Sequence, residues 1–233
     1  PMEHALAASG FMHEGEVSAR LGMPAIPSAA ETVAVAQTLA LASHTGARVH
    51  ICRLSARLSV RLIRQAKESG VDVTADVAAH QLFLTEVDVA DFNPLCHVMP
   101  PLRSTRDQAA LREGLADGTI DAICSHHEPL AKTAKQAPFA ESKPGISNFD
   151  TFMGLGCQLV KDGVLTAEQL VEKIAINPAK IAGIDTLWQE KGGAVLVDPN
   201  HTWTVSKDSM LSQGKNTPFI HSQLTGKVKQ VFF

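Results

Sequence analysis

The sequence predicts an α/β fold, with parallel strands joined by helical crossovers and a short all-strand segment at the end. Three observations carry this. Up to about residue 185, apolar runs of strand length alternate with helical periodicities, the pattern of βαβ units. After Gly183, three strand-like runs follow one another with no helix between them. Hydrophobic residues make up 45% of the chain and charged residues 19%, enough apolar material for a large core. A doubly wound sheet and a (β/α)8 barrel fit the alternation equally well. The 233 residues fall short of the roughly 250 that a complete barrel takes. The expected division is 1–185 for the strand–helix part and 186–233 for a small β segment.

In chain order, the first thirty residues read as loop, punctuated by Gly10, Gly15, Gly22, Pro24 and Pro27. A helix is predicted from Ser28, with Glu31 three residues on completing a capping box. Val33, Ala36 and Ala40 form its apolar face and Gly46 its stop. A strand at 48–52 follows, then a helix over about 57–69 with Leu58, Leu62 and Ala66 on one face and Gly70 at its end. Val71–Ala78 alternates like a strand. Leu95–Val98 is a further strand-like run before Pro100 and Pro101. Ser104 caps a helix through about Leu115, and Ile120–Cys124 is a buried strand. A polar loop over about 127–146 carries Lys132, Lys135 and Lys143, expected as a solvated face. A helix covers about 148–162. Thr166 with Gln169 caps another that runs to Ile176, and Pro178 fits the first turn of one more. The closing strands are placed at Ala194–Val197, Trp203–Val205 and Gly226–Phe232.

Composition excludes some classes. The net charge is −3 and no Lys/Arg block stands out, which argues against nucleic acid or an anionic membrane as partner. No apolar run approaches the roughly 18 residues of a membrane span, and no segment resembles a signal peptide. Cys52, Cys96, Cys124 and Cys157 are far apart and form no CxxC pair, so they read as free thiols in a reducing, cytoplasmic setting.

Several stretches resemble the dihydroorotases, metal-dependent amidohydrolases that close the pyrimidine ring. Met12–Gly22 and Ile26–Glu31 are similar to that family's H-E-G…L-G-x-P-x-x-P-x-x-A-E segment. Val73–Leu82 is similar to V-T-A-E-V-x-P-H-H-L. Met99–Arg103 matches N-P-P-L-R except at its first residue. Asn177-Pro178-Ala179 and Gly214–Phe219 match closing motifs. The resemblance covers nearly the whole chain. It implies the C-terminal part of a (β/α)8 TIM barrel, its last three strands near 48–52, 72–78 and 120–124, with a small accessory β domain. It also implies that a metal-binding His would precede Pro1, and that an H-x-H pair and a bridging carboxylate would lie upstream.

Two stretches depart from the family at its chemistry. Val49–Ser55 is similar to V-H-x-C-H-L-S, in which the histidine before Leu-Ser binds metal; here that residue is Arg53. Asp121–Leu130 is similar to D-x-I-A-T-D-H-A-P-H, whose Asp binds metal and moves the proton and whose last His holds substrate. Here these are His126 and Leu130. Met99 replaces a substrate-recognising Asn, and Asn148 and Asp150 stand where the family tends to have Gly and Glu. The chemistry needs a metal-activated hydroxide and a carboxylate to carry its proton. A guanidinium stays protonated and offers no lone pair. His126, His127 and His97 show no ligand spacing of a closed zinc site. Arg103, His80, His13, Glu14 and His50 match the family and read as structural.

The expectation is therefore a catalytically inactive dihydroorotase homologue. It would hold no metal where active relatives hold zinc and would have no catalytic or substrate-binding residues at Arg53, His126, Met99, Leu130 and Asn148. The resemblance further implies a structural role with the catalytic chain of aspartate transcarbamoylase, and a homo-oligomer. Two alternatives stay open. One is a working zinc amidohydrolase with altered ligands, and the other a small-molecule binding module.

Overall fold

The computed structural model describes residues 1–184 and 193–232. The expected division at 185/186 lies outside the described residues.

The first thirty residues are more ordered than their turn residues suggest. Helix α1, His4–Ala7, is followed by β1, Met12–His13, then α2, Glu16–Leu21, then β2, Ala25–Ile26. β1 and β2 pair in parallel. Gly10 permits this, because a Cβ there would strike the Ala25 backbone and the Ile26 side chain.

Helix α3 spans Ala29–Thr45. The expected capping box is not formed: Ser28 is helical and makes no side-chain cap. Glu31 is instead completely buried and turned to the neighbouring Ser55–Ala56 backbone. The buried face is also shifted, to Val35, Leu39 and Ala42, leaving Ala36 and Ala40 exposed. Alanine gives little apolar contrast around a helix, so the larger side chains decide which face goes in.

Three strands form the central parallel sheet: β3, Val49–Ile51; β4, Val73–Ala78; and β5, Ala122–Cys124, in that order. Their crossovers contain α4, Arg57–Glu68, and α5, Thr105–Ala116. All three strands fall where the alternation placed them. α4 buries Val60, Ile63 and Ala66 rather than Leu58 and Leu62, since its stripe is rotated by the demands of the sheet beneath. The capping residue Ser104 is confirmed: its hydroxyl accepts from the Asp107 amide. The core lies between the sheet and these helices, where Leu54, Ile63, Leu111, Leu115 and Ile120 are sealed from solvent.

The predicted strand at Leu95–Val98 is instead a 3-10 turn, Pro94–Cys96, because Pro94 lacks a ladder donor and Asn93 caps the Leu95 amide. The lysine loop contains two further 3-10 turns, and Lys135 is buried rather than solvated.

Helix α6 spans Phe149–Lys161. Beyond it, α7, Ala167–Val171, runs through a π turn at Glu172–Ile176 into α8, Asn177–Ala182. The Thr166–Gln169 box is present. Lys173 Nζ donates to the Ile120 carbonyl and Asn177 Nδ2 to that of Asp121, which fasten this helical run to the start of β5.

The closing strands merge into two long ones, β6, Ala194–Thr204, and β7, Gln223–Phe232, paired antiparallel with register shifts at Leu196/Val197 and at Asp198/Thr202. β7 packs on α6 at Gly154 and Gly226. No described helix is long and apolar enough to cross a membrane.

Candidate functional site

Side chains alternate across a strand, so neighbours in register share a face. His50 pairs with Thr74, and Asp76 with Ala122. One sheet face therefore carries His50, Cys52, Thr74, Asp76 and Cys124. The other carries Ile51, Ala75, Val77 and Ile123, which are buried.

Asp76 is the hub of the polar face. It accepts from His50 Nε2 at 2.9 Å and from the Arg53 amide at 2.8 Å. The other ring nitrogen of His50 meets Thr74 Oγ1 at 2.8 Å. Burial opposes the Asp76 charge, but hydrogen bonds from His50, the Arg53 amide and Cys124 outweigh it and hold the pKa below its usual value. Burial, followed by the Asp76 charge, pushes both the Cys52 and Cys124 thiols upward. Sequence reading missed this hub; its signal was the shared parity of His50, Thr74 and Asp76 on adjacent strands.

At the ends of β3 and β5 the chain turns through the left-handed region at Arg53, φ 58°, and His126, φ 44°. This backbone is uncommon for residues with a Cβ, and it brings the two side chains together. Arg53 Nη1 donates to His126 Nε2 at 3.0 Å. His126 stacks on His80, with centroids 5.4 Å apart. His80 is fully buried, and its Nδ1 accepts from Asn148 Nδ2 at 2.8 Å, an amide that also donates to the Ser125 carbonyl. Burial, with His126 adding to it, lowers the His80 pKa to about 3. Burial likewise lowers that of His126, helped by Arg53 and opposed by Glu128, whose carboxylate is 3.6 Å away.

Arg53, His126 and Asn148 thus meet through His80. Met99 and Leu130 do not join them. Met99 packs with the buried Ala7, Ile26 and Ala30. Leu130 lines a separate cleft, with its amide bonded to Asn216 Oδ1 at 2.7 Å. His97 pairs with Ser142 and stacks on Phe139. His127 accepts the Asn148 and Phe149 amides and so caps α6. The three histidines do not converge.

The zinc implied by the resemblance does not fit the residues at the strand ends. The His126 nitrogen facing Arg53 already accepts a guanidinium proton, and the fixed charge beside it repels a cation. His50, Cys52 and Asp76 do place donor atoms within 4.8 Å of one another. Both His50 nitrogens are engaged, however, and a thiol pushed upward is a poor ligand until it loses its proton. This cluster reads as a hydrogen-bonded network. What the strand ends can do is hold a neutral imidazole against a guanidinium; position 126 itself carries an imidazole and not a carboxylate.

Comparison with known proteins places these observations. No family model matches the chain. It is 46% identical over 226 residues to a dihydroorotase of Syntrophus aciditrophicus, covering 96% of this chain and 53% of that protein. It is 41% identical to a dihydroorotase-like protein of Pseudomonas putida, again over 96% of this chain and 53% of the relative. The chain therefore spans about half the length of the curated relatives it matches. Among solved structures, the L-hydantoinase (dihydropyrimidinase) of Arthrobacter aurescens superposes with a TM-score of 0.80 at 26% identity, over 90% of this chain and 48% of that one. The inactive dihydroorotase-like domain of a Chaetomium thermophilum CAD-like multifunctional protein shares the fold, with a TM-score of 0.64 at 24% identity over 94% of this chain and 61% of that one. The three-stranded parallel sheet is accordingly part of a (β/α)8 barrel, consistent with its C-terminal portion. The chain is a dihydroorotase-like member of the amidohydrolase superfamily.

Proposed function

We propose that this chain belongs to a catalytically inactive dihydroorotase homologue whose role is to assemble with the catalytic chain of aspartate transcarbamoylase in pyrimidine synthesis. One observation carries the first half of this reading: the Arg53–His126 contact at 3.0 Å, where active relatives have a metal ligand and a metal-binding proton carrier. Losing either function in such a unit costs orders of magnitude in rate. The assembly half rests on the family resemblance. A barrel without chemistry still offers a rigid surface, and specific interfaces bury on the order of 1,600 Å².

The decisive experiment co-expresses the intact protein with the transcarbamoylase. The two are expected to co-elute on size exclusion, with no turnover of carbamoyl aspartate or dihydroorotate once host enzyme is removed. Arg53→His with His126→Asp should leave assembly intact, since both changes fall at strand ends on side chains that contact each other. Separate elution with a transcarbamoylase equally active alone defeats the assembly reading.

A second reading is a working zinc amidohydrolase with altered ligands. It is favoured by the name of the 46%-identical relative, a dihydroorotase. Turnover by the purified protein would establish it in place of the first.

A further inference from the structure

A cleft of about 1030 Å³ opens between the loop after β5 and the segment at 207–221. Lys132, Lys135, Lys207 and Lys215 line it, and no aspartate or glutamate does. Among the described residues, none of these four amines lies within ion-pair distance of a carboxylate. Two of them are held in place by the backbone. Lys135 is buried and its Nζ donates to the His97 carbonyl at 3.2 Å. Lys215 Nζ donates to that of Met210 at 2.6 Å. Lys132 and Lys207 are exposed. A carbonyl satisfies one ammonium proton but does not neutralise the charge, so among the described residues no carboxylate at ion-pair distance supplies the counter-charge.

The Glu128 charge favours the Lys135 ammonium, but only from beyond ion-pair distance. Glu128 faces His126, and Asp150 accepts the Leu211 and Ser212 amides. The walls are also fixed. Asn216 accepts from the Leu130 amide and donates to the Glu128 and Gly145 carbonyls. Gly214 lets the two walls touch, since a Cβ there would strike the Pro129–Leu130 backbone. Leu95, Leu130 and Ile220 supply an apolar side. A preformed, partly apolar cleft with a few convergent polar groups is the usual form of a small-molecule site. Lysine ammonium groups bind phosphoryl oxygens as point charges.

We propose that this cleft binds a phosphorylated small organic molecule, its phosphoryl oxygens on the four lysines and its less polar body against Leu95, Leu130 and Ile220. Arg53, His126 and Asp76 are not in the lining, so the site is separate from the strand-end cluster and does not depend on whether the barrel is inactive.

Calorimetric titration of the intact protein at low salt tests this with three probes: inorganic pyrophosphate, ADP and adenosine. Pyrophosphate is expected to bind saturably, ADP more tightly, and adenosine not at all. Raising the salt severalfold should weaken both anions, as exposed charges are screened. The exposed pair Lys132→Gln/Lys207→Gln should weaken ADP binding roughly tenfold, while Lys143→Gln, outside the cleft, leaves it unchanged. Both changes fall on exposed side chains, and an unchanged thermal melt of the variants checks the fold. No saturable binding of either anion, or equal ADP binding by the double variant, overturns the proposal. ADP binding no tighter than pyrophosphate overturns its organic part.

Discussion

At position 53 a guanidinium sits on a left-handed backbone after β3 and donates into a histidine at the end of β5, two strands over. The pair carries its own positive charge where the family resemblance implies a cation-binding arrangement. The expected consequence is that protein purified and mildly dialysed holds less than stoichiometric divalent metal at the strand ends. Elemental analysis checks this; one equivalent of zinc that is lost in His126→Ala would sink it. Glu31 shows a second residue-scale effect. It is 0% exposed and accepts the Ser55 and Ala56 amides at 3.0 and 2.9 Å as well as the Ser55 hydroxyl, which in turn accepts from Arg103 Nε at 3.1 Å. Burial lowers the Arg103 pKa, and the Glu31 and Asp107 charges oppose that. Glu31→Ala strands two amides and weakens the support of a buried cation, which should cost about 3–5 kcal/mol in urea unfolding. A loss below about 1 kcal/mol would show that the network contributes little. The sequence singled out Glu31 for the wrong role, because the capping spacing was present but a stronger set of donors lay across the core.

At the scale of elements, the β6–β7 hairpin is fastened to α6 through glycines. Gly226 has φ 101°, and a Cβ there would collide with Cys157 on α6. The neighbouring Trp203 Nε1 donates to the Gly226 carbonyl at 3.1 Å. Gly226→Ala therefore combines backbone strain with overpacking and should lower stability by about 2–4 kcal/mol. The loss should appear in thermal melts together with greater exposure of Trp203 in fluorescence. A variant that melts with the parent and keeps Trp203 shielded would mean that the hairpin does not depend on this contact. The elements themselves were largely legible. Ser104 and Thr166 cap where their spacing says, and β3, β4 and β5 fall on their apolar runs, because these signals are local. Leu95–Val98 was misplaced because an apolar run in a 3-10 turn looks the same as a strand until Pro94 and Asn93 are given their geometry.

For the molecule as a whole, buried histidines set the acid limit. Burial lowers His80 to about 3 and His13 and His97 to about 4, against 6.5 when unfolded. Between those values the unfolded chain binds more protons than the folded one. Stability is therefore fully present above about pH 6.5 and is lost as pH falls toward about 4. Each histidine should cost on the order of 1–2 kcal/mol by pH 5. Asp76 does not contribute in this window, because its carboxylate is ionised in both states there. Urea midpoints measured from pH 7.5 to pH 5 should fall steadily. A flat profile would mean that these rings are reached by water.

The sequence by itself determined the α/β class, the positions of the three parallel strands along the chain, most helix limits and, through the family resemblance, the departures at Arg53, His126, Leu130, Met99 and Asn148. The class and the element limits follow from periodicity and capping chemistry, and the departures from the family resemblance; all are read between residues close in the chain. Only the tertiary structure decided which of those residues meet. It joined Arg53 and His126 across 73 positions, put Asn148 with them through His80, and sent Met99 into an apolar cluster and Leu130 to another cleft. It also turned Lys135 from an expected surface residue into a buried amine in the wall of a cationic cleft. The physical reason is the same in each case. Burial and side-chain partners depend on which strands lie side by side, and register across a parallel sheet is fixed by packing between segments that share no local sequence signal.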